Sequence, residues 1–317
     1  MIVYPELPKN KTWLVTGAAG FIGSHLTEVL LSKGQKVIGL DDFSTGKFEN
    51  IKDVTANENF KLIQGSITDL EICKDACKGV DYVLHHAALA SVPESMKDPA
   101  NYNEVNVSGF VNILQASREN KIKRVVFASS SAVYGDDDLP EKIENKIGKF
   151  LSPYAMTKYI NEVYAEFFTR VYGLECVGLR YFNVFGKRQD PNGAYAAVIP
   201  KWISAVKSEK VPVIYGDGTA TRDFCAVQNV VNANLLAALT PEAAGEVFNI
   251  GCGVSTRLNE LLKIIYEVFA PGLEIKFKRE APRDGDILHS SASIEKAKKI
   301  LKFNPVLYLK EGLEFLL

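Results

Sequence analysis

Tyr154 and Lys158 are the two residues whose types and spacing most readily support chemistry. They stand four positions apart in residues 152–172, which we expect to form one long helix, so both side chains would project from the same face. A phenol has an ordinary pKa of about 10 and is a poor base near neutrality. A neighbouring ammonium group and the positive charge of a bound nicotinamide would both lower that pKa. A lone Tyr-x-x-x-Lys pair means little, but together with the serine cluster and the dinucleotide-binding pattern described next it predicts alcohol oxidation, in which Tyr154 removes a hydroxyl proton while hydride leaves for the nicotinamide.

A cluster of three serines follows directly after the apolar segment 123–128, which is a predicted strand. The serines are Ser129, Ser130 and Ser131. Ligands of open α/β sheets lie outside the carboxyl ends of the strands, so this strand would deliver its hydroxyls to the site. One serine would bridge the substrate oxygen and Tyr154 and steady the proton during transfer. The residue types alone leave open which serine does so.

A glycine-rich turn predicts where the nicotinamide cofactor binds. Gly17, Gly20 and Gly23 lie between the apolar run 13–15 and the amphipathic segment 21–31, in a strand, turn, helix and strand pattern over residues 11–42. Glycines at these positions allow a tight turn, close approach of a phosphate and close packing of the helix on the strand. The pattern therefore predicts a pyrophosphate held at the helix N-terminus.

Asp41 ends the second predicted strand, where a carboxylate accepts hydrogen bonds from ribose hydroxyls and repels a 2′-phosphate. We therefore expect NAD rather than NADP. The polar turn after Asp41, the end of the third strand and the small residues after the fourth strand would complete the cofactor site. The predicted cofactor-binding residues are Gly17, Ala19, Gly20, Phe21, Ile22, Gly23, Asp41, Asp42, Phe43, Ser44, Thr45, Gly46, Ser66, Ile67, Ala87, Ala88, Ala90, Tyr154 and Lys158.

No metal site is predicted. His85 and His86 end the fourth predicted strand, but nothing in the sequence orders a metal or an acidic partner beside them, so packing or hydrogen-bonding roles are expected. The five cysteines are scattered without a Cys-x-x-Cys pair. Their spacing is typical of buried, reduced thiols rather than of a disulfide framework or a zinc site.

Composition and charge exclude several classes of protein. The 317 residues are 47% hydrophobic and 24% charged, as in soluble globular proteins, and the net charge of −1 offers no attraction to nucleic acid or to an acidic membrane. No apolar run approaches the roughly 20 residues that span a bilayer. Residues 1–11 carry prolines and charges where a signal peptide would be apolar, so we expect a cytoplasmic protein.

The pattern of elements predicts an α/β protein with a Rossmann-type, doubly wound parallel sheet in residues 1–182. Residues 183–317 are expected to form a smaller, irregular α/β substrate domain, with returns to the first domain from about 225–250. Further predicted elements include a helix over residues 102–120 and a strand over 274–277. Cofactor and substrate should meet in the cleft between the two halves.

The whole chain resembles the extended short-chain dehydrogenase/reductase superfamily. The resemblance rests on TGAAGFIG at residues 16–23, HHAA at 85–88, SSSAVYG at 129–135, YAMTK at 154–158, RYFNVFG at 180–186 and RDF at 222–224. Within the superfamily the chain is similar to UDP-sugar 4-epimerases. The run RYFNVFGKRQDPNGAYAAVIPKW, at 180–202, is especially similar to bacterial UDP-N-acetylglucosamine 4-epimerases.

This resemblance implies that Tyr154 and Lys158 are the catalytic pair and that Ser130, with Ser131 beside it, occupies the position of the catalytic serine or threonine. It also implies that NAD is a tightly bound prosthetic group and that the protein is a homodimer, formed through the helices predicted at 102–120 and 152–172. The implied substrate-binding residues are Ser91, Ser130, Ser131, Tyr154, Asn183, Ala197, Val198, Lys201, Tyr215, Arg222, Arg283, Asp286 and Ser290. The arginines suit this role because guanidinium groups bind phosphate in bidentate fashion.

Sugar choice is expected to depend on Ser290, five positions after Gly285, where the family implies that a small residue admits an N-acetyl group at C2. The predicted reaction is interconversion of UDP-N-acetylglucosamine and UDP-N-acetylgalactosamine through a 4-keto intermediate, with UDP-glucose and UDP-galactose as a secondary pair. The alternatives are a UDP-glucuronate 4-epimerase or decarboxylase, and a catalytically silent protein that binds nucleotide sugars.

Overall fold

The computed structural model describes residues 2–191, 197–282 and 288–317, so the candidate ligands Arg283 and Asp286 lie outside the described residues. Its strands are, in chain order, β1 (Thr12–Thr16), β2 (Lys36–Asp41), β3 (Phe60–Gln64), β4 (Tyr82–His85), β5 (Arg124–Ser130), β6 (Glu141–Lys142), β7 (Glu175–Tyr181), β8 (Val184–Phe185), β9 (Val213–Tyr215), β10 (Thr221–Arg222), β11 (Cys225–Ala226), β12 (Val247–Ile250), β13 (Thr256–Arg257), β14 (Lys278–Glu280) and β15 (His289–Ala292). Its α-helices are α1 (Phe21–Ser32), α2 (Leu70–Ala76), α3 (Val92–Lys97), α4 (Pro99–Asn103), α5 (Gly109–Glu119), α6 (Pro153–Tyr172), α7 (Val198–Lys207), α8 (Val227–Leu239), α9 (Leu258–Phe269), α10 (Glu295–Leu301) and α11 (Leu309–Glu314).

A seven-stranded sheet forms the centre of the fold, in the order β12-β7-β5-β4-β1-β2-β3, and every neighbouring pair is parallel. Side chains alternate between its faces: Trp13 and Val15 join the core beneath α1 and α8, whereas Leu14 joins the core beneath α2, α5 and α6. This confirms the predicted Rossmann-type sheet. The chain winds outward from β1 to β3 and then returns to β4, so the ends of β1 and β4 flank a crevice at the switch point.

The glycine-rich turn between β1 and α1 is so tight that side chains would not fit. Gly17 adopts φ 69°, and a Cβ atom there would lie 2.7 Å from the backbone nitrogen of Ala87. A Cβ atom on Gly23 would lie 2.0 Å from the carbonyl oxygen of Gly17. Only glycine therefore allows α1 to pack this closely on the turn that precedes it.

Helix α6 has clear boundary signals in the sequence. The Ser152 hydroxyl accepts a hydrogen bond from the backbone nitrogen of Ala155, and Pro153 occupies the first helical position, where its missing N–H costs nothing. Gly173 ends the helix in a left-handed conformation with φ 71°. The helix predicted over residues 152–172 is therefore present at nearly its predicted length.

The predicted helix over residues 102–120 is instead divided into three parts. A π-helical segment, Glu104–Ser108, separates α4 from α5. Within it the Asn106 amide exchanges hydrogen bonds with both backbone groups of Leu89, at 2.8 and 2.9 Å, and donates to the Thr157 hydroxyl at 3.2 Å. These contacts hold the segment after β4 against α6, which a regular helical pattern cannot reveal.

The predicted strand over residues 274–277 is wrong, because the strand in this region, β14, begins at Lys278 and pairs with β9. The Tyr266 hydroxyl bonds both the nitrogen and the carbonyl oxygen of Lys276, at 3.3 and 3.0 Å. The Tyr266 side chain therefore occupies the backbone hydrogen-bonding groups that strand pairing would have used.

A smaller unit contains a four-stranded sheet, in the order β13-β10-β15-β6, and a separate apolar core that includes Trp202, Ile214 and Leu262. Strand β6, from within residues 1–182, joins this sheet, whereas β12, from within residues 183–317, joins the central one. Asp223 ties the unit together by accepting bonds from the backbone nitrogens of Cys252, Gly253 and Ala292 at 2.8 to 3.2 Å. Burial raises the pKa of this carboxyl to about 6, and the backbone donors oppose that rise.

All five cysteines are reduced and buried, as their spacing predicted. Burial raises the pKa of both Cys73 and Cys77 to about 12, so these thiols remain protonated near neutrality. In the part of the chain that the structure describes, no helix is both long enough and apolar enough to cross a bilayer.

Candidate active site

Two adjoining cavities lie at the carboxyl ends of the central strands. The first has a volume of about 480 Å³ and the second about 500 Å³. Asn183, Val184 and Ala197 line both of them, so the two spaces meet at these residues.

The first cavity brings together most of the predicted cofactor residues and one of the two named serines. Its lining includes Gly17, Gly20, Phe21, Ile22, Gly23, Asp41, Asp42, Ser44, Thr45, Gly46, Ile67, Ala87, Ala88, Ala90, Ser130, Tyr154 and Lys158. The predicted residues Ala19, Phe43 and Ser66 are not in its wall, and Ser91, Ser131 and Ser290 line neither cavity.

The N-terminus of α1 opens onto the first cavity. Gly20 precedes the helix and offers no side-chain cap, and the next residues, Phe21, Ile22 and Gly23, line the cavity. The first backbone N–H groups of a helix have no partner within the helix and carry its positive dipole end. An uncapped end of this kind fits a pyrophosphate, and therefore fits NAD, without any change in the chain.

Asp41 shapes the cofactor site through the backbone. Its carboxylate accepts hydrogen bonds from the nitrogens of Ala19 and Phe43, at 2.8 and 2.9 Å, so these two predicted residues contact Asp41 rather than line the cavity. Burial raises the pKa of Asp41, and the two backbone donors oppose the rise. Two oxygens can accept about four hydrogen bonds in total, so the carboxylate retains capacity for ribose hydroxyls.

Ser66 builds the turn after β3 and does not face the cavity. Its hydroxyl bonds the Thr68 hydroxyl at 2.9 Å and accepts from the Thr68 nitrogen at 3.2 Å. The residues on either side, Gly65 and Ile67, line the cavity instead.

The two histidines have hydrogen-bonding roles, in line with the sequence analysis. His85 Nδ1 bonds the Thr16 hydroxyl at 2.9 Å, and His86 Nε2 bonds the Tyr181 hydroxyl at 2.8 Å. Burial lowers the pKa of His86 to about 3, so the ring is neutral near neutral pH. Because Asn234 donates its amide hydrogen to the Tyr181 hydroxyl, that hydroxyl is available to donate to His86. His86 and Tyr181 both line the first cavity, and motif spacing had not assigned either residue to the site.

Tyr154 and Lys158 stand side by side on α6, with the Lys158 Nζ atom 5.9 Å from the centre of the Tyr154 ring. Lys158 donates to the carbonyl oxygen of Ala128 at 2.9 Å. Burial lowers the pKa of Lys158 to about 8. Burial raises the pKa of Tyr154, while a hydrogen bond with the Ser130 side chain lowers it. In the protein without a bound cofactor, burial therefore raises the pKa of Tyr154, whereas the sequence led us to expect a lowered pKa.

Burial causes both pKa shifts, and it indicates that the site needs a further charge to be complete. Burial disfavours the charged form of each group, and an opposite charge nearby offsets that penalty. A phenolate at Tyr154 would stabilise the Lys158 ammonium, and a cationic nicotinamide would stabilise the phenolate. Ser130, Tyr154 and Lys158 can then hold and move a proton at a substrate oxygen.

The second cavity collects the residues expected to bind the substrate nucleotide. Asn183, Ala197, Val198, Lys201, Tyr215 and Arg222 line it. The sequence analysis did not assign Trp202 and Phe224, which supply apolar surface on the same wall. The Trp202 indole donates to the carbonyl oxygen of Val213 at 3.0 Å and is therefore fixed in place. Cationic and aromatic side chains together suit a base and its phosphates.

Comparisons with known proteins agree with this geometry. The sequence model of the NAD dependent epimerase/dehydratase family matches residues 13–251. A UDP-N-acetylglucosamine 4-epimerase from Methanobrevibacter ruminantium M1, solved in complex with UDP-N-acetylmuramic acid, is 40% identical, with a TM-score of 0.91 over 98% of this chain and 99% of that one. A UDP-glucose 4-epimerase from Thermotoga maritima, solved with UDP-glucose, is 38% identical, with a TM-score of 0.88 over 96% of each chain. A UDP-glucose 4-epimerase from Mycolicibacterium smegmatis is 36% identical over 302 residues, which are 95% of each chain.

The burial of Lys158 leads to a prediction about its titration. In protein stripped of nucleotide, the Lys158 amine should titrate near pH 8, because desolvation disfavours the ammonium form. The amine should thus be charged below that pH and neutral above it, whereas exposed lysines titrate at a pH of about 10.4. NMR of ¹³C-methylated lysines measures these midpoints, and the Lys158→Met variant assigns the resonance. A midpoint equal to that of the exposed lysines would contradict the buried environment.

Proposed function

The chain belongs to the NAD dependent epimerase/dehydratase family, and on this premise we propose that it is a UDP-sugar 4-epimerase acting on UDP-N-acetylglucosamine and UDP-N-acetylgalactosamine. One observation carries the proposal. Ser130, Tyr154 and Lys158 lie in the wall of the dinucleotide cavity, and that cavity meets a second nucleotide-sized cavity at Asn183 and Ala197.

Proton transfer is the task of the chain's own residues. Tyr154 would remove the proton from the C4 hydroxyl of the sugar, and Ser130 would hold both oxygens in line. Lys158 would offset the charge of the phenolate and bond the nicotinamide ribose. Bound NAD supplies the acceptor, and later the donor, of one hydride. The phenol then returns its proton to the C4 oxygen when the configuration has been inverted.

Inversion requires a tight hold on the nucleotide and a loose hold on the sugar. The 4-keto sugar must present its other face to the cofactor while the diphosphate stays in place. Lys201, Tyr215 and Arg222 line the second cavity and are the proposed anchors for the nucleotide, with Asn183 at the junction. Arg283 and Asp286 remain proposed ligands from the sequence. The sugar, which has fewer fixed partners, would then be free to turn.

The proposed preference for N-acetylated sugars rests on Ser290. This residue lies on β15, directly opposite Arg222 of β10, so it is one strand away from the second cavity. Its small side chain would leave room for an acetamido group at C2. Two of the similar proteins are named as UDP-glucose 4-epimerases, which supports the plain hexoses as a secondary pair.

We also propose a homodimer formed through α5 and α6, in a cytoplasmic enzyme. Met156, Val163, Phe167 and Val171 are exposed and follow one side of α6. An apolar stripe of this kind is typical of a surface that is covered in an assembly. Phe168, in contrast, is buried in the core of its own chain.

The function is tested by incubating the purified protein separately with UDP-N-acetylglucosamine, UDP-glucose and UDP-glucuronate, without added NAD, and resolving the C4 epimers. We expect the acetylated pair to interconvert fastest, because copurified NAD is restored in every turnover. A requirement for stoichiometric NAD would indicate a net dehydrogenase. Fastest turnover or decarboxylation of UDP-glucuronate would favour the uronate alternative, and no product from any substrate would favour a silent binding protein.

Substitution of Ser290 by tyrosine tests the basis of sugar choice. The Ser290→Tyr variant should lose roughly 10- to 100-fold in turnover of the acetylated sugars, since a small group in a pocket changes transition-state binding by about 1–3 kcal/mol. Turnover of UDP-glucose should stay near that of the parent. Ser291→Tyr is the matched control, because neighbouring strand residues point to opposite faces. Parent-like activity of Ser290→Tyr on UDP-N-acetylglucosamine would show that the size of residue 290 does not set the room around C2.

A further inference from the structure

Helix α6 is connected to the end of β5 at three successive strand residues. Lys158 donates to the carbonyl oxygen of Ala128, and the Ser130 side chain lies close enough to Tyr154 to lower its pKa. Between these two contacts, the Ser129 hydroxyl donates to the Glu162 carboxylate at 2.5 Å. The three helix residues stand four positions apart, so they share one face of α6. Motif spacing identified the first two of them but gave no role to Glu162.

Glu162 is held rigidly although it is buried. Its carboxylate receives two hydrogen bonds from the Arg180 guanidinium, from Nε at 2.9 Å and from Nη2 at 2.7 Å. The side chains of both residues are at most 6% exposed. A buried carboxylate without this partner would be strongly disfavoured, and the fork geometry fixes its orientation as well as its charge. Ser129 therefore donates to an acceptor that has little freedom to move.

Arg180 is fixed in turn by the residues around it. Its Nη1 atom donates to the Tyr134 hydroxyl and to the carbonyl oxygen of Glu144, both at 3.0 Å. The Tyr134 hydroxyl donates to Asn249 at 2.5 Å, and the Asn249 amide donates to the carbonyl oxygen of Ser293 at 3.2 Å. The network thus runs from the serine cluster to the segment just after β15, the strand that carries Ser290.

We propose that Ser129 and Glu162 are positioning residues, whose hydrogen bond sets the orientation of the β5 end and thereby holds Ser130 and Lys158 in their working positions. This inference rests on the proposed function. Neighbouring residues of a strand point to opposite faces, so an anchor on Ser129 fixes the rotation of the strand end. That rotation decides where the Ser130 hydroxyl points and where the Ala128 carbonyl meets Lys158. Ser129 therefore has a positioning role that the other two serines of the cluster, Ser130 and Ser131, do not share.

The Ser129→Ala variant tests the proposal because it removes only the donor. Turnover should fall by roughly 10- to 100-fold, as expected when a catalytic group is displaced by a fraction of an ångström to about 1 Å. KM for the UDP-sugar and the content of bound NAD should stay close to the parent values. The midpoint of the pH profile of kcat should move upward, because a displaced Ser130 no longer lowers the pKa of Tyr154. Ser129→Thr, which keeps a hydroxyl, should restore both kcat and its pH profile.

A second readout needs no turnover. In nucleotide-free Ser129→Ala, the NMR midpoint of Lys158 should move from near pH 8 toward that of the exposed lysines, because the loosened strand end admits water. In Ser129→Thr the midpoint should stay near 8. If the parent protein turned over no UDP-sugar, the proposed function would fail, yet this titration would still decide the positioning role.

Glu175→Gln is the control for a loss of stability alone. Glu175 pairs with Arg124 at 2.7 Å, so it also joins β5 to β7, but at the opposite ends of these strands from the site. Its variant should unfold more readily while kcat and the pH profile remain those of the parent. The proposal is overturned if Ser129→Ala keeps the parent's kcat, pH profile and Lys158 midpoint, or if Glu175→Gln changes them equally.

Discussion

The close contact between α6 and the carboxyl end of β5 is the constraint on which the candidate active site depends. It buries Lys158 against the backbone and brings Tyr154 to the strand-end serines. Burial makes the charge of each group costly, which is why the pKa of Lys158 falls and that of Tyr154 rises in the protein alone. Each group therefore favours its neutral form until an opposite charge lies nearby. Binding of the cofactor and readiness for proton transfer would thereby be coupled by electrostatics.

The sheet topology explains why the two cavities meet at this contact. The switch point between β1 and β4 opens a crevice beside β5, and the uncapped N-terminus of α1 faces that crevice. Asn183, just beyond β7, lies where the second cavity begins. The proposed reaction needs this continuity, because the nucleotide must stay anchored in one compartment while the sugar is presented to the cofactor in the other.

Local patterns predicted those parts of the site whose geometry is local. The glycines before α1, the capping residues of α6 and the spacing of Tyr154 and Lys158 are all encoded within a few positions, and the structure contains the corresponding turn and helices. Contacts between distant residues were not predictable in this way. Arg180 and Glu162 meet only because β7 and α6 pack together, and no spacing rule connects them. The strand expected at 274–277 failed because the Tyr266 hydroxyl, ten positions earlier, bonds the backbone groups of Lys276, and the apolar pattern does not reveal this contact.

The most direct test of the account is the turnover of UDP-N-acetylglucosamine by the Tyr154→Phe variant, with UDP binding and NAD content measured alongside. If Tyr154 carries the proton, turnover should fall by about 10²- to 10⁴-fold, the usual contribution of a general base, while UDP and NAD remain bound as in the parent. Inversion at the parent's rate by this variant would contradict the account, because the phenol could not then be the group that α6 delivers to the substrate.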